Sequence, residues 1–565
     1  MKKLLAFFFL IVISIVCKGQ ISEREKVESE LNERGEAIIL IKAEHSDLNS
    51  LSRIVSLDGK VGNEWSAYVN RKQFNNFLEL NYTYRLFERN GTKAYNMASE
   101  IEQMQSWNRY PTYGVYIEMM QNLAEQHPTL CKLDTIGQST NGRLLLCLQI
   151  SNNSNSNIAK PKFFYSSSIH GDELTGMVML LRLADSILSN HNNNPTIQDL
   201  LSSTTIYICP LANPDGAYAQ NNSSISNATR YNANYVDLNR NFPDPILGNH
   251  ADGEAHQAET IAFINYAKRE RFDFAANLHG GAEVCNFPWD CWTSTSKKHD
   301  DHNWFQSICS EFVSEVRESS PNYYFTDVTY NGVTNGGDWY VINGSRQDYH
   351  NFFLRCREIT LEISSIKTPQ ASTLPSYWQY LGKGLLKLIS LSTKGVNGFI
   401  TDSLSGESLD SVKVFIEGID SDELSIFSKQ DGSYCRALLE GNYTMTLSKE
   451  GYDNKTISFG VGAESSTHLN ISMTRNNVSL NEPPTTKHLA NISPNPCNDV
   501  LNLNVICNGE YCIINSHGIV LQKGVFQSGE NTIDISSLKS GICFLQLKYK
   551  ACVYPSETLK MIIEE

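Results

Sequence analysis

Apolar and polar positions alternate in two different ways along this chain. Up to about residue 391, short apolar runs typical of buried strands, such as residues 163–165 and 272–279, are interspersed with longer stretches of helical period, such as residues 177–188. From residue 396 to residue 473 the pattern is a series of short alternating strands separated by turns. The chain therefore predicts an α/β domain followed by all-β structure.

Side chains with metal-binding chemistry stand where the predicted strands of the α/β part end. His170 and Glu173 lie between a strand and a helix, so an imidazole and a carboxylate three residues apart can face one cation. His279 ends a second strand, and Glu358 and Glu362 share one face of a third. Because open α/β sheets bind ligands at the carboxyl ends of their strands, we expect these groups to form one site.

Six motifs occur in order between residues 105 and 391. They are TIGQSTNGR, HGDE, NPDG, VDLNRNFPD, NLHGG and EITLEIS. Together they resemble the zinc metallocarboxypeptidases of the carboxypeptidase A superfamily, and most closely the subfamily of carboxypeptidases N, E, D and M. The resemblance implies a catalytic domain at residues 105–393, built on a mixed eight-stranded sheet flanked by helices. It also implies hydrolysis of the C-terminal peptide bond of peptides or proteins by zinc-activated water.

Carried over residue by residue, the resemblance implies three ligands for one Zn²⁺: His170, Glu173 and His279. Two neutral nitrogens and a carboxylate leave the ion acidic enough to lower the pKa of bound water. Glu362 is implied as the general base. Periodicity alone does not separate it from Glu358, but the family's mobile active-site tyrosine precedes its base by twenty-two positions, and Tyr340 and Glu362 reproduce that spacing.

An exopeptidase must also bind a free C-terminal carboxylate, and the parallel donors of a guanidinium suit its two oxygens. The resemblance assigns this role to Arg240 together with Asn239. It makes Arg230 the group that stabilises the developing oxyanion. It makes Asp237 the acceptor that orients the imidazole of His170.

Substrate preference is expected to depend on a pocket that contains Asp290 and Gln347. Both match pocket residues of the N/E-type enzymes, in which an aspartate pairs with a basic C-terminal side chain. Arg346 replaces the family's usual methionine and is expected to bring a positive charge near the pocket. We therefore predict release of C-terminal Lys or Arg. The alternatives are a neutral or cell-wall peptide specificity, or a non-catalytic surface binding protein on the same scaffold.

The chain begins like an exported protein. Charged residues precede an apolar run at residues 4–16, and small residues follow, which predicts a signal peptide at residues 1–19 and not a membrane span. Lipidation of Cys17 is the minority alternative. Residues 20–100 mix helical and strand-like pieces and predict a small α+β region that resembles a prosegment.

Two all-β sandwiches are expected after the catalytic domain. Residues 396–474 resemble the transthyretin-like domain that follows the catalytic domain in the N/E subfamily. A polar linker at residues 475–490 carries two adjacent prolines. Residues 491–565 resemble the C-terminal sorting domain of type IX secretion substrates, with an adhesion module as the alternative. The expected partners are therefore basic peptide C-termini and a secretion machinery, and the expected location is the cell surface or the medium, reached through the periplasm.

Composition agrees with a multidomain exported protein. The 565 residues are 41% hydrophobic, which is enough for several packed cores. Basic residues number 47 and acidic residues 61, and the resulting formal charge of −14 argues against nucleic acid as a partner. Fourteen cysteines without a paired CxxC pattern fit an oxidising destination. Cys285 and Cys291 are left as an open candidate disulfide across the pocket loop.

Overall fold

A computed structural model describes most of the chain. The described residues are 22–89, 94–152, 158–463, 466–476, 490–550 and 556–564. They divide into two compact units, Met1–Asn476 and Asn477–Glu565. The predicted signal peptide and residues 477–489 of the predicted linker lie outside the described residues.

The first unit begins with a small α+β fold. Its elements in chain order are α1 (Glu23–Arg34), β1 (Ala37–Ile41), α2 (Leu48–Leu51), β2 (Ser56–Val61), β3 (Glu64–Val69), α3 (Arg71–Leu78) and β4 (Tyr84–Leu86). The strands form an antiparallel sheet in the order β2-β3-β1-β4. Helix α1 begins after Ser22, whose hydroxyl accepts the backbone N–H of Glu25, and ends at Gly35 in the left-handed conformation. Phe74 and Phe77 of α3 are fully buried in a core that belongs to this fold.

A mixed eight-stranded sheet forms the centre of the first unit. After a short parallel pair, β5 (Met97–Ala98) and β6 (Tyr110–Pro111), its strands are β7 (Cys131–Gln138), β8 (Leu144–Ile150), β9 (Lys162–Ser167), β10 (Thr205–Cys209), β11 (Phe274–His279), β12 (Glu283–Phe287), β13 (Val333–Asn335) and β14 (Arg357–Ile363). Their order is β13-β12-β14-β11-β9-β10-β8-β7. The four central strands from β14 to β10 are parallel, whereas β12 and β8 join them antiparallel. The predicted mixed sheet is confirmed.

Helices cover both faces of this sheet. They are α4 (Tyr113–Gln126), α5 (Thr175–Asn190), α6 (Pro195–Ser203), α7 (Pro214–Ala217), α8 (Ala258–Glu270), α9 (His302–Arg317), α10 (Gly336–Trp339), α11 (Arg346–Leu354) and α12 (Leu374–Thr393). Phe163 and Tyr165 of β9 pack into one apolar core with α4, α5, α9 and α12, while Phe164 between them packs into a second core with α8. Because β9 is covered on both faces, its apolar run is uninterrupted.

A β-sandwich completes the first unit. Its strands are β15 (Gly395–Asp402), β16 (Lys413–Ile416), β17 (Ile426–Phe427), β18 (Ser433–Ala437), β19 (Gly441–Ser448), β20 (Lys455–Val461), β21 (Ser466–His468) and β22 (Ile471–Met473), in two four-stranded sheets. A buried ion network joins it to the α/β part, because Arg436 lies 2.6 Å from both Asp301 and Asp420. Asp301 also pairs with Arg357 at 2.8 Å.

The second unit is also all-β. Its strands are β23 (Ala490–Ser493), β24 (Val500–Val505), β25 (Gly509–Asn515), β26 (Val520–Phe526), β27 (Gly529–Asp534), β28 (Gly541–Tyr549) and β29 (Ser556–Ile563). They form a three-stranded and a four-stranded sheet around one apolar core. The prediction of two β-sandwiches after the α/β part is confirmed. None of the helices formed by the described residues is long and apolar enough to cross a bilayer.

Candidate metal centre and substrate cavity

His170, Glu173 and His279 meet at the carboxyl edge of the central sheet. The first two lie in the loop between β9 and α5, and His279 is the last residue of the neighbouring strand β11. The Nδ1 atom of His170 is 2.9 Å from Glu173 Oε1, and that of His279 is 2.8 Å from Glu173 Oε2. One donor atom from each residue lies within 4.8 Å of the other two, and all three residues are buried. A single cation can therefore bind all three.

The Nε2 atom of each imidazole, which does not contact Glu173, has its own hydrogen-bond partner. His170 Nε2 lies 3.1 Å from Asp237 Oδ1, and His279 Nε2 lies 2.8 Å from the side-chain amide of Asn277. A proton on Nε2 leaves Nδ1 free to bind a metal, and for His279 this requires Asn277 to present its amide oxygen. Burial lowers the pKa of His279 to about 4, so the ring is neutral at pH 7, which is the form that binds metals. The donor set thus fits Zn²⁺.

The carboxylates that hold this site are ionised. Burial opposes the charge of Glu173, but the adjacent His170 and Lys367 outweigh it and hold the pKa of Glu173 well below its usual range. Burial likewise opposes the charge of Asp237, and Arg230 and His170 hold the pKa of Asp237 low. The negative charges are therefore present before a cation binds.

Glu362 lines the cavity beside the metal ligands, and Glu358 does not. Glu362 is paired with His279 in the register of strands β14 and β11. Burial and the charge of Glu173 raise the pKa of Glu362 well above its usual range, an effect that a divalent cation would oppose. Its Oε2 atom has no hydrogen-bond partner among the described residues. Glu358 is instead paired with Arg346, with Nε 2.9 Å from Oε1.

The residues expected to bind the substrate backbone also line this cavity. Arg230 places Nε 3.0 Å from Asp237 Oδ2 and Nη1 3.6 Å from Glu173 Oε1, so the guanidinium faces the metal ligands. Asn239 and Arg240 lie on a short 3-10 helix at Leu238–Arg240 and are part of the cavity wall. Tyr340 also lines the cavity, and burial raises its pKa to about 12.

Asp290 forms a buried acidic floor in the same cavity. Its Oδ1 accepts a hydrogen bond of 2.9 Å from Gln347 Nε2 and lies 3.4 Å from Asn286 Nδ2. Gly336 makes this position possible, because a Cβ there would be 2.0 Å from Asp290 Oδ1. Burial raises the pKa of Asp290 to about 6. At neutral pH this carboxyl is therefore mostly ionised, in a buried position that disfavours its charge.

The structure corrects the expectation about Arg346. Its fully buried guanidinium pairs with Glu358 and contacts the Ser166 hydroxyl beneath the site. Its charge is neutralised by Glu358 and is not presented to the substrate pocket, so the expected positive charge near the pocket is wrong.

The candidate disulfide across the pocket loop does not form. Cys285 and Cys291 are both buried free thiols. Cys285 is part of β12 and takes part in the core that includes Phe305 of α9, whereas Cys291 donates its backbone N–H to Asp348.

Sequence reasoning missed two charged residues at the site. Lys367 places Nζ 2.6 Å from Glu173 Oε1 and 2.9 Å from Asp58 Oδ1. Lys367 follows Glu362 by only five positions, so the rule for strand ends could have placed it at this edge of the sheet. Asp58 lies in β2 of the N-terminal fold and belongs to no motif, so only the tertiary structure brings it here.

Three parts of the chain match known protein families. Residues 116–381 match the Zinc carboxypeptidase family, residues 395–474 match the Carboxypeptidase regulatory-like domain, and residues 491–564 match the Secretion system C-terminal sorting domain. The C-terminal match indicates export to the cell surface or the medium. The carboxypeptidase A of Helicoverpa armigera has a similar structure, with a TM-score of 0.48, 17% identity, and coverage of 64% of this chain and 99% of that one.

Relatives of similar sequence are themselves carboxypeptidases. Carboxypeptidase D of Anas platyrhynchos is 32% identical over 374 residues, which is 64% of this chain and 26% of that protein. The chain thus spans about a quarter of the length of the first carboxypeptidase D relatives it matches. Carboxypeptidase M of Mus musculus is 34% identical over 351 residues, and the match covers 59% of this chain and 77% of that protein. The predicted resemblance is confirmed: the chain belongs to the zinc carboxypeptidase family.

Proposed function

We propose that this metallocarboxypeptidase releases a C-terminal Lys or Arg residue from peptides or proteins outside the cell. The observation that carries the proposal is the position of Asp290, a buried carboxylate in the same cavity as His170, Glu173 and His279. A neutral substrate side chain would leave this charge buried without a cationic partner, which is unfavourable. A Lys or Arg side chain would neutralise it.

The residues around the metal ligands suit peptide hydrolysis. When bound, Zn²⁺ supplies Lewis acidity toward water and toward the scissile carbonyl. Glu362 accepts a proton from the attacking water and passes it to the leaving amine, a role that suits a partly buried carboxylate with a raised pKa. Arg230 donates to the oxygen of the scissile carbonyl as negative charge develops on it.

In this proposal the substrate's free carboxylate also binds in this cavity. Arg240 and Asn239 donate to its two oxygens, which selects for the end of a chain. Tyr340 covers the bound residue. Gln347 and Asn286 hold the Asp290 carboxylate in place for the substrate's side chain.

We also propose that three parts of the chain have different functions. Residues 105–393 carry catalysis, residues 396–474 form a structural sandwich anchored by the Arg436 network, and residues 491–565 direct export through a type IX secretion machinery after removal of residues 1–19. The buried ion pair between Arg436 and Asp301 supports a fixed attachment of the sandwich to the catalytic part.

The direct test is a panel of four peptides identical except for a terminal Arg, Lys, Phe or D-Ala. The zinc-loaded full chain is expected to release Arg and Lys with kcat/KM at least roughly tenfold above Phe, and a chelator is expected to abolish release. Preference for Phe or D-Ala would establish one of the alternative specificities. Absence of hydrolysis of all four peptides by the zinc-loaded chain would favour a non-catalytic binding protein.

A further inference from the structure

A small second cavity, here called the junction cavity, lies between the α/β part and the β-sandwich of the first unit. Four of its lining residues are cationic: Arg355 and Arg357 of the α/β part, Arg436 of β18, and Lys394 at the end of α12. Among the described residues, none lines both this cavity and that of the metal ligands. Positive charge is therefore concentrated at a place that the proposed reaction does not use.

Carboxylates balance two of the three guanidinium groups at the junction cavity. Asp301 lies 2.8 Å from Arg357 and 2.6 Å from Arg436. Asp420 lies 2.6 Å from Arg436 as well. Arg355 forms no ion pair with any carboxylate of the described residues, and its Nη1 donates instead to a backbone carbonyl at 2.8 Å. One guanidinium charge is therefore left without an anionic partner in direct contact.

Two further carboxylates near the junction cavity are each paired with a lysine. Asp273 lines the cavity, but its Oδ2 lies 2.6 Å from Lys429 Nζ. Glu423 acts on Arg355 only at longer range, and its Oε2 lies 3.0 Å from Lys297 Nζ. Burial and a neighbouring guanidinium accordingly lower the pKa of Arg355. The charge of Arg355 is one that a bound anion would stabilise.

Two buried N–H groups at the junction cavity can donate to such an anion. The Nε atoms of Arg355 and Arg436 are shielded from solvent, and neither has a hydrogen-bond partner among the described residues. A buried charged donor without an acceptor is unfavourable. The volume left in the cavity is about 20 Å³, and one water-sized particle needs roughly 10–15 Å³. The space therefore suits a single monatomic ion and is too small for a phosphate or carboxylate group.

We propose that the junction cavity binds one chloride ion, which accepts hydrogen bonds from the Nε–H groups of Arg355 and Arg436. A halide is monatomic and monovalent, and it accepts hydrogen bonds without donating any. Its single charge balances the guanidinium that no carboxylate contacts, which a water molecule in the same place would not do. Because Arg355 belongs to the α/β part and Arg436 to the sandwich, the ion joins the two parts. The inference does not depend on the proposed reaction.

Thermal unfolding of the zinc-loaded full chain tests this site. Chloride is exchanged for gluconate at fixed ionic strength, so that the screening of surface charges stays constant. Arg355→Gln removes the guanidinium that no carboxylate contacts and leaves the Arg436 ion pairs in place. Arg53→Gln is the matched control, since Arg53 is an exposed arginine of the N-terminal fold and does not line the junction cavity.

A ligand that binds only the folded chain raises its stability with the logarithm of the ligand concentration. For the wild type and Arg53→Gln, each tenfold rise in chloride above the dissociation constant is expected to raise Tm on the order of 2 °C. Arg355→Gln should lose this dependence on chloride. In crystals of the wild type grown with bromide, anomalous diffraction should show a bromide ion at hydrogen-bond distance from both Nε atoms.

Three results would overturn the proposal. The first is a wild-type Tm that does not change when chloride replaces gluconate, which would leave water as the occupant of the cavity. The second is an equal chloride dependence in Arg355→Gln, which would place the ion elsewhere on the chain. The third is a bromide peak without any chloride dependence of Tm, which would mean binding at crystal concentration only. If Arg355→Gln fails to fold, the position of the bromide peak together with the wild-type Tm series decides.

Discussion

Replacing Asp290 by Asn tests substrate recognition and its energetic cost together. The variant keeps the size of the side chain and an oxygen that can accept from Gln347, but it removes the charge. Loss of one partner from a buried charge pair typically costs about 2 to 5 kcal/mol, and each 1.4 kcal/mol is roughly tenfold in kcat/KM. We therefore expect kcat/KM for a peptide ending in Arg to fall by roughly 30-fold or more, while a peptide ending in Leu is unaffected or improves.

The same substitution should stabilise the folded chain at neutral pH. Burial raises the pKa of Asp290 from 3.8 to about 6, and one pH unit corresponds to about 1.4 kcal/mol. The carboxyl binds its proton more tightly in the folded than in the unfolded chain, so stability is lost as pH rises between these two values. Asp290→Asn is thus expected to gain about 3 kcal/mol at pH 7.5 and about half of that at pH 5.

Urea unfolding followed by tryptophan fluorescence measures this gain. All seven tryptophans lie between residues 65 and 378, so the signal reports on the N-terminal and α/β parts and not on the two later sandwiches. Equal losses of kcat/KM on the Arg and Leu peptides would show that Asp290 only supports its loop. Lower stability of the variant at both pH values would refute the assignment of a destabilised carboxylate.

Three further outcomes are expected. Glu362→Gln should keep zinc and lose peptide hydrolysis, whereas Glu358→Gln should keep zinc and lose about 3 to 5 kcal/mol of stability in urea, because it leaves a buried guanidinium unpaired; the reverse pattern would contradict the choice of base. Asp237→Ala should weaken zinc affinity roughly 10- to 100-fold in a competition titration, because a ligand imidazole loses its acceptor. Deleting residues 491–565 should leave a folded, active peptidase in the periplasm, and normal export of that chain would refute the sorting role.

Local sequence predicts the central sheet and the metal site for a physical reason. The apolar runs of β9 and β11 are long enough to mark buried strands, and the carboxyl ends of parallel strands meet at one edge, which brings His170 and His279 together. The residues that line the cavity are harder to predict from local sequence. Arg346 illustrates this, since its position next to Gln347 suggests the pocket, whereas burial and pairing with Glu358 decide where its charge lies.

The contribution of the N-terminal fold could not be predicted at all from local patterns. Ser56 and Asp58 are small polar residues of an ordinary strand, and their partners Asp237 and Lys367 lie far along the chain. A contact between two parts of one compact unit depends on the shape of both surfaces, which neither periodicity nor spacing encodes. The position of the N-terminal fold against the cavity of the metal ligands is therefore known only from the three-dimensional structure.

The structural carboxylates of this chain are paired with arginines, and this distinguishes them from the carboxylates proposed to act on substrate. Glu358 and Asp301 are buried beside Arg346 and Arg436, which hold the pKa of each carboxyl low although burial opposes ionisation. Asp290 is buried and Glu362 is partly buried, and in each case burial prevails and the pKa is raised. A buried carboxylate without a permanent cation costs stability and persists where function requires it. The two raised carboxyls line the cavity that also holds the metal ligands, which supports the proposal that their partners are transient ones: a proton for Glu362 and a substrate cation for Asp290.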